Sequence, residues 1–324
     1  MKTIKIILSI ALMLLGIDTT KAQKTISELA QMPDAKLEKL VTEDVNSYTI
    51  QINQFSNKLR KKGYDIPDDL TPKLKRVGIL TYFLVDRNWI ELSGAGKDGW
   101  GSYTRKEDYL TPAGSETFVT QFYEKALPAL VQEFTKQGIS LLTPDVFLDT
   151  DAKKQAYENK EIKMGGLAKF TKGFAGYLQK TYDKNPAVPV GYRLITEAGE
   201  YGGADKTTVE DIGELLKELD LDALLTVKIE VALEGKDLNL LSITEVLHGY
   251  NPMPDHDYGA YQKFILKGIY YSNAPLVLKN PITFALVDKK SGVKDINIDG
   301  FDVVTQKLTD ILLNRFKNNF SPGK

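Results

Sequence analysis

Apolar positions along this chain fall into two periods, and each marks a different kind of element. After Pro33 and Asp34, a good helix cap, apolar or aromatic residues recur at Leu37, Val41, Val45, Tyr48, Ile52, Phe55 and Leu59, in steps of 4, 4, 3, 4, 3 and 4 before Gly63 and Pro67. That spacing predicts one long amphipathic helix. Its stripe is narrow and coiled-coil-like, so it serves either as the face packed on its own domain or as a homo-oligomer or partner seam. From Val77 to Val85 the pattern changes to an unbroken run, VGILTYFLV, of the kind buried on both faces of a parallel or mixed sheet.

Thr111-Pro112 and Thr143-Pro144 each place a cap residue before a proline at the first helical position. The first opens a helix through Phe118, Phe122, Leu130 and Phe134, bent at Pro128 and ended by Gly138; the second opens one through Phe147 and Tyr157. Ile139 to Leu142 reads as a short strand, and Val188 to Thr196 as another. Val209, Ile212, Leu216 and Leu219 mark a helix face. Val227, Ile229, Val231 and Leu233 then alternate with Lys228, Glu230, Ala232 and Glu234, a strand with one wet face. Extended runs at 238–246, 264–271 and 282–287 follow, and Phe301, Val304, Leu308, Ile311 and Phe316 mark a closing helix. The order predicts an α/β fold: a three-layered domain with a mixed sheet, parallel at its core with antiparallel hairpins, preceded by an N-terminal long amphipathic helix.

The front of the chain changes the picture from fold to address. Lys2 and Lys5 precede an apolar run from Ile6 to Ile17, and Asp18 to Ala22 are small or polar. This is the layout of a secretory signal peptide with cleavage after Ala22. As an uncleaved anchor the run would reach only about 18 Å, short of a bilayer core of about 30 Å. The expected parts are a signal peptide at 1–22, a helical segment at 23–70 and an α/β domain at 71–324 with a long aromatic, Gly-rich loop at 86–112. No later segment reads as a transmembrane span. Cleavage removes Lys2, Lys5, Lys21 and Asp18, so 42 basic and 43 acidic side chains become 39 and 42, a net charge of −3 over 302 residues. That balance lacks the basic footprint of nucleic-acid binding. The chain has no Cys, which excludes disulfides, thiolate chemistry and a lipid attached through Cys. Export to the periplasm or outside the cell, without a lipid anchor on Cys, is the expected localisation.

Three ordered segments, Val77 to Phe83, Gly138 to Asp145 and Leu219 to Val227 with Asp222 in "LDAL", resemble the CsgG-like and TolB amino-terminal-domain-like group of bacterial envelope proteins. The resemblance covers residues 75 to 320. It implies a three-layered α/β domain and a role in secretion, envelope assembly or activation of wall enzymes. Members are often lipoproteins, which this chain without Cys is not, and its stretch from Asp86 to Pro112 is longer than the group's pattern. The pattern supplies no catalytic residues.

Several motifs suggest chemistry of their own. Gly94 to Gly99 spells G-x-G-x-x-G, but it stands about eight residues beyond its strand and is followed by Trp100-Gly101-Ser102-Tyr103 instead of a helix, so a dinucleotide site is not expected. The same loop carries Trp89, Trp100, Tyr103 and Tyr109, including both Trp residues of the protein. Aromatics on a long loop after a core strand are suited to stacking on a glycan or gripping an envelope protein partner. Asp295, Asn297 and Asp299, followed by Gly300, match the first half of a calcium loop, although Gln306 stands where the bidentate Glu belongs; calcium is the one cofactor the sequence suggests. Asp255-His256-Asp257 with His248 could form a metal or acid/base site, and Glu197 and Glu200 could form paired carboxylates. Each has an ordinary reading as a solvated turn.

Two functions remain. One is a secreted cell-envelope protein with a non-enzymatic binding, assembly or scaffold role. The other is a secreted hydrolase acting on glycans or peptides with paired carboxylates near Glu197, Glu200 or Asp255. The lack of G-x-S-x-G and H-E-x-x-H motifs favours the first.

Overall fold

The computed structural model describes residues 25–41, 71–87, 89–93, 104–108, 110–160, 183–197, 206–207, 209–251, 267–288 and 292–320. In chain order the elements are α1 (Ile26–Gln31), α2 (Asp34–Glu38), β1 (Arg76–Arg87), β2 (Trp89–Ser93), β3 (Thr104–Asp108), α3 (Pro112–Lys136), β4 (Ser140–Leu142), α4 (Pro144–Phe147) and α5 (Asp151–Glu158). They continue with β5 (Asp183–Ala187), β6 (Thr196–Glu197), β7 (Lys206–Thr207), α6 (Val209–Glu218), β8 (Ala223–Glu234), β9 (Asp237–Tyr250), β10 (Gly268–Asp288), β11 (Gly292–Lys294) and α7 (Phe301–Phe320).

β1 organises the sheet. Its residues from Val77 to Asp86 are all buried, as the unbroken apolar run requires. It pairs in parallel with β8 along its length and with β4 at its start, and β5 lies antiparallel to its last residues. β8, β9, β10 and β11 continue as an antiparallel meander, giving the order β11-β10-β9-β8-β1-β4 with β5 beside β1. The mixed sheet is thus parallel where β1 sits and antiparallel beyond β8. Asp222, at the entry to β8, ties the parallel core together. Its carboxylate accepts the amides of Lys75 at 2.7 Å and Arg76 at 2.8 Å, and its own amide donates to the Arg76 carbonyl at 2.9 Å.

Helices cover both faces. On one, α3 and α7 pack side by side, and Phe118, Phe122, Phe284 and Phe301 interlock with ring centroids 4.5 to 5.5 Å apart. On the other, Ile212, Leu215, Leu216 and Leu219 pack with Leu80, Phe147, Tyr157 and Leu224. Thr111 caps α3 by accepting the Gly114 amide at 3.1 Å, with Pro112 at the first helical position, and the helix runs on through Pro128.

Four sequence expectations are corrected by competing local forces. The helix opened at Asp34 stops at Glu38 instead of running to Leu59, and residues 42–70 lie outside the described residues. Leu37 and Val41 are buried in the domain's own core, so in those two the stripe packs inward; Val45, Tyr48, Ile52, Phe55 and Leu59 lie outside the described residues. The helix after Thr143 breaks into α4 and α5 because Thr150 caps anew, accepting the Lys153 amide. The strand expected at 188–196 gives way to a turn: the Tyr192 amide donates to the Pro189 carbonyl, Gly191 has φ 88°, and the pairing segment is instead β5. The two runs near 264–271 and 282–287 belong to one strand, β10, whose ladder with β9 is irregular between Val277 and Ile282.

The leading segment is strapped to α7. Thr25 and Glu28 form a capping box at α1, and Ile26 and Leu29 are buried. Lys307 donates to the Met32 carbonyl and pairs with Asp34, while the Arg315 fork spans the carbonyls of Val41 at 2.7 Å and Asn273 at 2.9 Å. The second of these caps a carbonyl of β10. Pro275, two residues on, removes an amide, so β10 is protected from pairing with another chain.

Candidate functional site

In an open α/β sheet, ligand crevices form at the carboxyl ends of parallel strands where successive connections depart to opposite faces. Here the parallel strands lie in the order β4-β1-β8 and follow one another in the chain as β1, β4, β8, so that point lies between β1 and β8. On the other side of β1, where β4 pairs with its start and β5 with its last residues, three tyrosines from different elements meet. Tyr82 of β1 and Tyr123 of α3 lie edge to face with centroids 5.3 Å apart, and Tyr123 meets Tyr192, beyond β5, at 5.3 Å with their hydroxyl oxygens 3.0 Å apart. Below them, the Tyr157 hydroxyl donates to the Leu80 carbonyl at 2.8 Å and accepts the Arg193 amide at 3.1 Å, and the Thr81 hydroxyl donates to the Arg193 carbonyl at 2.8 Å. The Arg193 guanidinium donates to the Tyr157 carbonyl. These bonds fix the turn that presents Tyr192. Val190 on that turn is 98% exposed and Val146 of α4 is 52% exposed.

The electrostatics suit binding better than proton transfer. Burial, followed by the hydrogen bond to Tyr123 and the nearby Asp145 carboxylate, pushes the Tyr192 hydroxyl far above its ordinary value, and burial pushes Tyr157 up to about 12. Both stay neutral near pH 7. Tyr192 and Tyr157 are buried and their hydroxyls are bonded within the protein, so what this cluster exposes is the turn that carries Val190.

The stretch predicted as an irregular loop is corrected to a folded one. β1 itself runs to Arg87, and β2 and β3 form an antiparallel ribbon with Trp89 opposite Asp108 and Ser93 opposite Thr104. The ribbon forms because Trp89-Ile90-Glu91-Leu92 and Thr104 to Glu107 are strand-compatible runs around a glycine-rich middle. It departs from the carboxyl end of β1. Trp89 opens β2; Trp100, Tyr103 and Tyr109 lie outside the described residues, as does Gly94 to Gly99 between the two strands.

Of the remaining sequence candidates, those that fall among the described residues do not converge on the tyrosine cluster. Asp295, Asn297 and Asp299 form the turn into α7: the Asn297 side chain accepts the Asp299 amide at 3.1 Å, and the Asp299 carbonyl accepts Ser27 at 3.0 Å. Gln306, at the twelfth position, donates to Glu133 of α3. Among the described residues no group of three or more His, Cys, Asp and Glu could hold a metal ion. His248 is buried in β9 with Nε2 3.0 Å from the Thr226 hydroxyl, and burial lowers its pKa to about 3, leaving a neutral ring. Glu197 lies in β6, paired with β7 in a ribbon of its own, while Glu200, Asp255, His256 and Asp257 lie outside the described residues.

A concavity of about 490 Å³ runs between α2, α3 and α7. Its cations already hold structure: Lys136 pairs with the buried Glu133, Lys307 with Asp34, and Arg315 with two carbonyls. It is the seam of the leading strap. Sequence reasoning missed Tyr123 and Tyr192, which are unremarkable among 16 tyrosines until folding joins them across 69 residues.

Fold and site together define a three-layered α/β protein with a mixed sheet, a β-ribbon at the carboxyl end of β1 and a tyrosine cluster packed against the same strand. Compared with protein-family models, with curated proteins and with solved structures, the chain matches none.

Proposed function

We propose that this is an exported bacterial cell-envelope protein that acts by binding, with the ribbon and the exposed 188–192 turn as its binding face and an envelope glycan as its ligand. The observation that carries the reading is the departure of the aromatic-rich segment from the carboxyl end of β1, the strand that also carries Tyr82 of the tyrosine cluster. The signal-peptide layout at 1–22 and the resemblance to the CsgG-like group support the envelope as the setting. The Trp and Tyr residues of the 86–112 segment supply the stacking chemistry that glycans engage.

Because both Trp residues lie between positions 86 and 112, intrinsic Trp emission reports on the ribbon alone. The mature protein, beginning at Gln23, is titrated with peptidoglycan fragments released by lysozyme. A saturable change in Trp emission is expected, with the fragments unchanged in mass after prolonged incubation. Flat emission would reject the glycan as ligand, and shortened fragments would turn the reading to the hydrolase.

A further inference from the structure

The ribbon leaves the sheet and returns to it beside two consecutive residues of one strand. Side chains alternate between the faces of a strand, so Asp86 and Arg87 point to opposite sides. Arg87, where the chain departs, donates to the Glu230 carboxylate of β8 at 2.6 Å, and Glu230 also accepts the Ser242 hydroxyl at 2.7 Å and lies 3.3 Å from Lys228. This foot is on the α6 side. Where the chain returns, the amide of Leu110 donates to the fully buried carboxylate of Asp86 on the α3 side. One residue later Thr111 caps α3.

A two-stranded ribbon by itself is marginally stable in water. Its direction must therefore come from its feet, and here they are clamped on both faces of the sheet. We propose that Asp86 and Arg87 are the positioning residues of the aromatic ribbon: Asp86 holds its returning foot and Arg87, through Glu230, its departing foot, so that the ribbon leaves the sheet edge in one orientation. A preoriented element loses less freedom when it binds. The purpose of the clamp rests on the binding reading; its existence does not, and its test uses no ligand.

The mature full-length chain is compared with Asp86→Ala, Asp86→Asn and Arg87→Gln. Two quantities are measured: Trp anisotropy, and the rate of tryptic nicking at Lys97, Arg105 or Lys106 within the ribbon. Losing one charge-assisted bond raises the open population about tenfold. Asp86→Ala and Arg87→Gln are expected to nick about tenfold faster with lower anisotropy. Asp86→Asn, whose amide oxygen still accepts from Leu110, stays near wild type. Wild-type nicking and anisotropy in both Asp86→Ala and Arg87→Gln would overturn the clamp, and so would an Asp86→Asn variant as loose as Asp86→Ala. If circular dichroism shows Asp86→Ala unfolded, Arg87→Gln at a site 35% exposed decides the matter together with Asp86→Asn. A glycan titration that fails while these results stand would remove the binding reading and leave the clamp.

Discussion

Glu245→Gln is expected to stabilise the protein at pH 7 by about 3 kcal/mol and to remove a decline in stability that the wild type shows between about pH 4.5 and pH 8. Glu245 lies on β9, fully buried beneath α7. Both its oxygens lie within 3.2 Å of the Thr309 hydroxyl, which is also 3.0 Å from the Thr305 carbonyl. A hydroxyl has one hydrogen. If Thr309 gives it to the Thr305 carbonyl, which can only accept, the carboxyl must carry a proton and donate to Thr309 Oγ1. Burial drives the same result, pushing the carboxyl from its ordinary 4.5 up to about 8. The groups facing it are Tyr82 of β1 and the two threonines of α7, and among the described residues no cation does so.

The sign follows from proton counting. Between about pH 4.5 and 8 the folded state holds a proton that the unfolded state has released, so stability falls as pH rises through that range. Below it, both states are protonated and the penalty vanishes. Gln keeps the size and a donor without the ionisation. Urea unfolding across pH 4 to 9 checks this: a flat difference between wild type and Glu245→Gln would show that Glu245 is charged and otherwise compensated.

Gly249→Ala is the second large effect, a loss of about 3 kcal/mol from overpacking. A Cβ at Gly249 would come within 1.9 to 2.1 Å of ring atoms of Tyr271 on β10, far inside contact. The ring cannot easily retreat. Its hydroxyl donates to the Tyr250 carbonyl at 2.9 Å, and it packs on Phe316 at 5.5 Å and Phe320 at 5.0 Å. The glycine is therefore required for space, and displacing Tyr271 disturbs the end of α7. The urea midpoint should drop markedly and partly recover when Tyr271→Leu is added. A wild-type midpoint in Gly249→Ala would mean that the ring moves at no cost.

Elements buried on both faces or capped by strong local signals were legible from the chain. VGILTYFLV could only be a central strand, Thr111-Pro112 fixed the start of α3 to the residue, and the period of Phe301 to Phe316 described α7. Long-range competition hid the rest. The Leu37 stripe has helical spacing, yet Leu37 and Val41 are held by α7, where Arg315 takes the Val41 carbonyl. Lys228 and Glu230 suggested a wet face on β8, but they are 14% and 17% exposed because Arg87 and Ser242 complete an ion cluster there. Burial would raise the Glu230 carboxyl; Lys228 and Arg87 outweigh it and hold it near 2.

The candidate site was half legible. Aromatic density marked the ribbon, whereas Tyr82, Tyr123 and Tyr192 come from a strand, a helix and a turn and share no sequence pattern. Asp86 was equally silent, since nothing local reveals that the amide of Leu110 returns to it across 24 residues.

Hydrogen exchange of the mature protein with and without lysozyme-released peptidoglycan fragments tests the central claim most directly, because it asks where a ligand binds across the whole chain. Slowed exchange is expected at β2, β3 and the 188–192 turn, with the α2–α3–α7 seam unchanged. Protection confined to that seam, or none anywhere, would contradict it.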